Sequence, residues 1–231
     1  MDIDLNSDLG EGRGLDAELM PLVTSANICC GFHAGDAATA HAALELAARN
    51  GVQVGAHPGY ADREHFGRRN LALCEEAIFE LCVYQVSALA GLAKAAGVSL
   101  QYLKPHGALY NQACREDAVA RPIVAAAQLL QLPVMALPGS RLDSLCKGRC
   151  GFIAEGFADR RYLPDGSLVA RGESDAFVND VEEAVNQADW LMRERGIRTL
   201  CVHGDNPQAL DFVRGLRDAF TQRGIGLRAF A

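Results

Sequence analysis

Short apolar segments alternate with helical segments along the whole chain, and this alternation is the feature that most constrains its fold. Seven segments have the composition of buried strands, and they are residues 3–6, 26–30, 52–56, 100–104, 133–137, 151–155 and 199–203. Longer Ala-rich or amphipathic segments suit helices, and they are residues 37–50, 74–96, 117–130, 175–195 and 207–223. Strands that alternate with helices in this way predict a parallel sheet joined by helical crossovers.

Two closures of such a sheet fit about seven strand–helix units, an open doubly wound sheet and a barrel of the TIM type. Open sheets that bind dinucleotides carry G-x-G-x-x-G after the first strand. The glycines of GEGRG (10–14) have a different spacing and no helix directly behind them. Because no composition shift or long linker divides the chain, we predict a single α/β domain over residues 1–231. We expect it to close as a TIM-like β/α barrel of about seven parallel strands.

Charge and cysteine content narrow the expected partners and compartment. The 22 Lys and Arg against 29 Asp and Glu give a net charge of −7, and no stretch is basic. Nucleic acid and anionic membranes are therefore not expected as partners. No uninterrupted apolar run reaches the roughly 20 residues of a membrane span, and the N-terminus lacks a signal-peptide pattern. The 8 cysteines include no C-x-x-C pair, so we interpret them as reduced thiols of a cytoplasmic protein.

Four of the six histidines lie at or just past the C-terminal end of a predicted strand. They are His33 in CGFHAGD, His57 in GAHPGY, His106 in KPHGALY and His203 in VHGD. Other ionisable residues occupy similar positions, and they are Asp8, Glu11, Lys104 and Glu155. The C-terminal ends of barrel strands meet on one face, where such folds assemble active sites. One histidine at a strand end is usually a turn residue, but four in one location favour a functional cluster.

This cluster is suited to general acid/base catalysis, to a divalent metal site, or to both. The candidate ligands for zinc or manganese are Asp8, His33, His57 and His203, although no H-x-x-x-H pair marks them. Lys104 would stabilise an oxyanion or hold a carboxylate or phosphate, and its alternative role is a salt bridge or a helix cap. Arg160 lies in a long loop after Glu155 and suits bidentate binding of an anion.

Seven blocks of the sequence resemble the LamB/YcsF family, whose members are called the A subunit of 5-oxoprolinase. In chain order they are DLNSDLGEG, ANICCGFHAGD, GAHPGYADREHFGRR, LKPHGALYN, EGFADRRY, DGSLVAR and VHGD. The resemblance implies a β/α barrel related to the glycoside hydrolase/deacetylase superfamily. It also implies ATP-dependent opening of the lactam of 5-oxoproline (pyroglutamate) to L-glutamate, with partner subunits B and C. Since G-x-x-x-x-G-K-[ST] is absent, we expect the partners to handle ATP while this chain hydrolyses the activated ring.

Under this hypothesis, acid/base groups activate water and a second set of side chains binds the substrate. The expected acid/base groups are His33, His57, His106, His203, Asp8, Glu155 and Asp205. The expected substrate-binding residues are Lys104, Asn6, Glu11, Asp36 and Arg160.

Two other functions fit the same residues. A stand-alone metal-dependent amidohydrolase or carbohydrate deacetylase would contain bound metal and act without partners. A non-catalytic subunit that presents 5-oxoproline to its partners would bind substrate and tolerate replacement of the acid/base residues one at a time.

Overall fold

The computed structural model describes residues 1–203 and 209–230. The strands are β1 (Asp2–Leu9), β2 (Ser25–Cys29), β3 (Gln53–His57), β4 (Leu100–Leu103), β5 (Val134–Ala136), β6 (Phe152–Phe157), β7 (Thr199–Cys201) and β8 (Gly226–Leu227). The helices are α1 (Asp16–Leu19), α2 (Ala37–Asn50), α3 (Glu75–Ala95), α4 (Gly107–Ala113), α5 (Asp117–Leu129), α6 (Arg141–Cys146), α7 (Val181–Glu194) and α8 (Ala209–Gln222).

Seven parallel strands close into a barrel. Each strand from β1 to β6 pairs with the next, and β7 pairs in turn with β1. The long strand β1 meets β7 through residues 4–6 and β2 through residues 6–9, which supplies the stagger that a closed barrel requires. The short strand β8 pairs only with residues 2–3 of β1. The predicted TIM-like β/α barrel of about seven parallel strands is therefore confirmed.

Alternate side chains of β1 point into the barrel and are polar, as the period of two in a strand allows. Asp4 Oδ1 accepts a hydrogen bond from Ser25 Oγ at 2.7 Å, and Asn6 Oδ1 accepts one from Asn27 Nδ2 at 2.7 Å. The intervening apolar side chains join the core between the sheet and the helices, and they are Ile3, Leu5 and Leu9. The barrel interior is thus a hydrogen-bonded polar layer inside an apolar one.

Tyr102 fills the lumen beside β3. Its hydroxyl donates a hydrogen bond to Asn27 Oδ1 at 2.7 Å, and the Phe230 ring packs against it with centroids 5.4 Å apart. The ring occupies the space into which a side chain on Gly55 would point. Glycine at position 55 therefore allows a large aromatic residue to fill the interior.

The helices agree with the predicted segments except at two places. Helix α7 begins at Val181, six residues after the predicted start, because Asp180 accepts a hydrogen bond from the Glu183 amide (2.8 Å) and caps it. The residues before it form loop structure, with Phe177 paired to Arg160 in an isolated bridge. The short helices α1, α4 and α6 were not predicted. The predicted start of the last helix, at residue 207, lies outside the described residues.

Helix α3 is long and apolar enough, by length and mean hydropathy (1.3), to cross a membrane. One such helix is weak evidence, because core helices of globular proteins meet the same criteria. Several of its side chains are buried in the core, and they include Ile78, Cys82, Val86 and Leu89. All eight cysteines are free thiols, in agreement with their interpretation from the sequence.

Replacement of Gly55 by alanine tests the packing of the lumen. The new Cβ would overlap the Tyr102 ring, so we expect Gly55→Ala to lower the free energy of unfolding by about 2–3 kcal/mol. Gly91→Ala is the matched control, because nothing lies within 4 Å of a Cβ there. In the middle of α3 it should raise stability by about 0.5–1 kcal/mol. Urea denaturation measures both, and a Gly55→Ala variant as stable as the wild type would contradict the position of Tyr102.

Candidate active site

A cavity of about 310 Å³ opens at the C-terminal ends of the strands. Six of the residues predicted from the sequence line it, and they are Asp8, His57, Lys104, His106, Arg160 and His203. They come from β1, from β3 and from the loops after β4, β6 and β7. The barrel therefore brings together residues from most of the chain, as the shared location at strand ends predicts.

Lys104 forms the floor of this cavity as the centre of a buried ion-pair network. Its Nζ lies 2.6 Å from Glu155 Oε1 and 3.2 Å from Asp8 Oδ1, and it donates to Asn6 Oδ1 at 3.2 Å. Burial disfavours the charged ammonium, but Asp8 and Glu155 outweigh burial and raise the pKa of Lys104 well above its usual value. An ammonium has three N–H donors, and these contacts occupy them. Lys104 thus has the salt-bridge role and orients Asp8.

Asp8 presents a carboxylate to the cavity. Its Oδ1 accepts a hydrogen bond from Asn27 Nδ2 at 2.7 Å, and its Oδ2 lies 3.3 Å from His57 Nε2. Burial opposes ionisation, yet the charges of His57 and Lys104 prevail and hold the pKa of Asp8 well below its usual range. The side chain is 10% exposed, so an ionised oxygen is available to a ligand.

His57 and His106 face each other through nitrogens whose protonation is set by their surroundings. His57 Nδ1 donates to the Lys104 carbonyl at 2.8 Å, and His106 Nε2 donates to the Phe66 carbonyl at 2.8 Å. The remaining nitrogens, His57 Nε2 and His106 Nδ1, are 3.0 Å apart. If both rings are neutral, the lone pairs of these two nitrogens face each other. A proton or a metal ion between the nitrogens would satisfy both. Burial and the neighbouring His33 and His57 lower the pKa of His106 well below its usual value.

His33 and Glu11 lie behind this pair. The His33 ring stacks on His106 with centroids 3.7 Å apart and planes within 1°. Gly67, at φ +64°, leaves room for both rings, since a Cβ there would lie 2.7 Å from His33 Cβ and 3.0 Å from His106 Cδ2. Glu11 Oε1 lies 3.4 Å from His33 Nε2 and 3.6 Å from His106 Nδ1, but it is buried without a hydrogen-bond partner. The Oε1 atom of Glu11 therefore faces a cluster of imidazoles.

The donors of this cluster fit a divalent metal. One ligand atom each from Glu11, His33, His57 and His106 lies within 4.8 Å of the others, and three nitrogens with one oxygen form a set typical of zinc. The unpartnered Glu11 Oε1 and the opposed nitrogens of His57 and His106 would both be satisfied by a cation. The predicted metal set is divided, because Asp8 and His203 belong to a second group with Cys201. A bound metal would supply Lewis-acid chemistry and lower the pKa of a bound water.

His203 is oriented by a carboxylate that the sequence analysis did not single out. Its Nδ1 lies 2.8 Å from Asp159 Oδ2, which also accepts a hydrogen bond from the His203 amide at 2.9 Å. The ring stacks on Phe157 with centroids 5.6 Å apart. Although burial opposes ionisation of Asp159, the contacts with His203 lower its pKa. The Asp159 carboxylate thus favours the His203 tautomer that carries its proton on Nδ1, and Nε2 is left to act as a base.

Three of the residues expected at the site make other contacts in the structure. Asp36 is exposed and caps helix α2, where it accepts a hydrogen bond from the Thr39 amide at 2.8 Å, so a helix cap replaces the expected substrate contact. Asn6 and Glu155 are fully buried beneath Lys104. Their contacts indicate that they position Lys104. Asp205 lies outside the described residues.

Residues that the sequence analysis did not assign to the site also line the cavity, and they include Arg68, Asn70, Tyr110, Asn111, Arg115, Phe157 and Arg171. Tyr110 donates to Glu155 Oε2 at 3.0 Å. The arginines lie in loops or at a helix end. The sequence there has no helical or strand periodicity that would indicate the direction of a side chain. Their sequence signal is only the recurrence of arginine in FGRR and DGSLVAR.

Loss of Lys104 should destabilise the protein because it leaves two buried carboxylates without a counter-charge. We expect Lys104→Met to lower the free energy of unfolding by about 3–5 kcal/mol. The double variant Lys104→Met/Glu155→Gln removes one charge of each sign and should recover at least half of that loss. Lys94→Met, at an exposed position of α3, is the control and should stay within about 0.5 kcal/mol of wild type. Equal losses in the single and double variants would show that this network is not the source of the stability.

Comparisons with known proteins agree on one family. The sequence model of the LamB/YcsF family matches residues 3–231. The proteins named as the A subunit of 5-oxoprolinase from Tolumonas auensis and Paracidovorax citrulli are each 43% identical to the chain; the first alignment covers 98% of both chains and the second 100%. The crystal structure of a lactam utilization protein from Thermus thermophilus superposes with a TM-score of 0.91 at 38% identity, covering 100% of each chain. The chain belongs to the LamB/YcsF family.

Proposed function

We propose that this chain hydrolyses the lactam of 5-oxoproline to L-glutamate, in an ATP-dependent reaction that requires partner subunits B and C. The observation that carries the proposal is the joining, in one cavity, of an ionised Asp8, a histidine oriented by a carboxylate, and two histidines whose facing nitrogens lie 3.0 Å apart. These are the groups that amide hydrolysis needs. The names of the relatives in Tolumonas auensis and Paracidovorax citrulli supply the substrate.

Asp8 and His203 are suited to activate the attacking water. A ligand atom of His203 and a carboxylate oxygen of Asp8 lie within 4.8 Å of each other, which allows one water molecule to contact both. His203 would accept the proton of that water at Nε2, and Asp159 would stabilise the resulting imidazolium. The role assigned to Asp159 is thus to position His203.

The His57–His106 pair is suited to protonate the nitrogen that leaves the carbonyl carbon. An amide nitrogen is a poor leaving group until it receives a proton, so ring opening needs an acid on the side opposite the base. A proton held between His57 Nε2 and His106 Nδ1, which lie 3.0 Å apart, would supply that acid. Lys104 keeps its proton because two carboxylates surround it.

The requirement for ATP and partners follows from the substrate and from the family. The lactam of 5-oxoproline is an unstrained amide, so its carbonyl needs activation before water attacks at a useful rate. The chain contains no P-loop sequence, and relatives at 43% identity are named as subunits. In this proposal subunits B and C activate the ring with ATP, and 5-oxoproline binds in the cavity with its carboxylate at Arg160.

Reconstitution tests the proposal. Glutamate release from 5-oxoproline and ATP should require this chain together with subunits B and C, and neither half should be active alone. Turnover by subunits B and C without this chain would contradict the proposal. Partner-independent turnover by this chain would exclude the assignment of ATP chemistry to the partners.

Asp159→Asn tests the orientation of His203. An amide in place of the carboxylate favours the wrong tautomer of the imidazole, so we expect turnover by the reconstituted enzyme to fall by about 100-fold or more. The KM for 5-oxoproline should change little, because Asp159 makes no substrate contact. Asp189→Asn is the control, since Asp189 pairs only with Arg193 on the exposed face of α7 at 2.9 Å. Unchanged turnover in Asp159→Asn would remove His203 as the base.

The group formed by Glu11, His33, His57 and His106 favours a second candidate, a metal-dependent amidohydrolase or carbohydrate deacetylase. This function predicts that the purified chain contains about one zinc or manganese ion and hydrolyses amides without partners. Glu11→Gln should then reduce the metal content, whereas Glu45→Gln on the exposed surface of α2 should not. A metal-free preparation that is fully active with subunits B and C would exclude the candidate.

A further inference from the structure

Helix α3 presents an apolar face to solvent. The helix is apolar along its length, yet only 33% of its most apolar stretch is buried inside the chain. Tyr84, near its middle, is 65% exposed. Ala77, Ala88 and Ala95 lie on the same side, at the i, i+4 and i, i+7 spacings that share one face of a helix. An apolar face of this length on the surface of a barrel indicates an interaction site.

One edge of this face carries a charge of each sign. Glu80, Ser87 and Lys94 recur every seven residues, so they form one row along α3. All three side chains are exposed. Within the described ranges, 1–203 and 209–230, neither Glu80 nor Lys94 forms an ion pair. The row therefore has an unpaired negative charge on one side of Ser87 and an unpaired positive charge at the same distance on the other.

Such a row is complementary to a second copy of itself that runs in the opposite direction. A two-fold axis at Ser87 brings Glu80 of each copy to Lys94 of the other, so that two ion pairs form at once. A parallel pair would instead place like charges against each other. The same axis sets the Tyr84 ring of each copy close to Ala88 of the other, where the small side chain leaves room for it. The charges thus select an antiparallel pairing of identical helices.

A membrane surface is a poorer match for this face. Helices that lie on membranes are rich in Lys and Arg on their polar side, and Lys94 is the single Lys or Arg within α3. The net charge of −7 would also oppose contact with anionic lipids. The charge pattern therefore favours a protein partner.

The exposed tyrosine also connects this face to the histidine cluster. The Tyr84 ring packs against Phe32 with centroids 5.6 Å apart, and Phe32 directly precedes His33 in the loop after β2. None of the described residues that line the cavity belongs to α3. A partner on α3 would therefore support the loop that carries His33 without covering the lining of the cavity.

We propose that the outer face of α3 is a docking surface for a second copy of this chain, and that two copies associate through antiparallel α3 helices about a two-fold axis at Ser87. Two-fold dimers are the commonest symmetric assemblies of soluble proteins. One helix face is smaller than the roughly 800 Å² per partner of a standard interface, so we expect a reversible dimer with a micromolar Kd. The inference goes beyond the proposed function and does not depend on it.

Sedimentation velocity of the purified chain, over a concentration series that spans the micromolar range, tests the dimer. Wild type should pass reversibly from monomer to dimer. Tyr84→Glu should raise the Kd at least about 10-fold, because it places a charge in the apolar centre of the interface. Leu163→Glu is the matched control, since Leu163 is 45% exposed in a loop outside α3. A wild-type chain that stays monomeric throughout, or a dimer that Tyr84→Glu leaves unchanged, would overturn the proposal.

Charge reversal tests the antiparallel geometry. Glu80→Lys should weaken the dimer at least about 10-fold, because the two-fold axis then opposes like charges at two places. The double variant Glu80→Lys/Lys94→Glu restores opposite charges and should return the Kd to within about 3-fold of wild type. Glu194→Lys, at the exposed end of α7, makes the same change in net charge and should have no effect. Circular dichroism establishes that each variant is folded. A double variant as weak as the single one would contradict the pairing.

Two further mixtures separate the other possible occupants of this face. Vesicles of anionic phospholipid and the partner subunits B and C are each added to wild type and to Tyr84→Glu. The proposal predicts that vesicles do not sediment the chain and that Tyr84→Glu binds the subunits as wild type does. Binding to either one that Tyr84→Glu abolishes, with a wild-type chain that is monomeric alone, would assign the face to that occupant and overturn the proposal.

Discussion

The arrangement of the site depends on one buried ammonium. Lys104 directly follows β4 and forms ion pairs with Asp8 on β1 and Glu155 on β6, so it connects opposite sides of the barrel interior. Its backbone carbonyl also accepts the hydrogen bond that fixes the protonation of His57. The charge of Lys104 therefore keeps Asp8 ionised, and its backbone keeps His57 in the orientation that faces Asp8 and His106. A buried charge is retained only when partners of this quality surround it, which explains the polar interior of the barrel.

The position of the barrel strands could be predicted from sequence because their pattern is local. Each is a short apolar segment bounded by turn residues, and the polar alternation of β1 comes from side chains that hydrogen-bond across the lumen. The start of α7 could not be predicted in this way. The segment before it has helical composition, yet Phe177 pairs with Arg160 seventeen residues earlier, and Asp180 begins the helix. The start of α7 therefore depends on a contact between two segments, and the pattern within one segment does not report such a contact.

The candidate site was predictable in its location and less so in its roles. Polar residues at strand ends indicate one cavity, and the structure brings six of the expected residues there. Burial and hydrogen bonding then give the expected residues different roles. Glu155 forms an ion pair with the buried Lys104, whereas Asp36 caps a helix. Arg68 and Arg171 line the cavity although the sequence analysis did not assign them to the site. They lie in loops, and only the folded chain shows that their guanidiniums and that of Arg160 line one cavity.

We propose that this chain performs the chemistry in its own cavity and does not only present a substrate. Asp8→Asn tests it most directly, because the amide keeps the shape of the side chain and removes the charge that Lys104 and His57 stabilise. In the reconstituted enzyme, we predict that turnover falls by about 1,000-fold or more while the Kd for 5-oxoproline stays within about 3-fold. Turnover close to that of the wild type would contradict the account and identify the chain as a binding subunit.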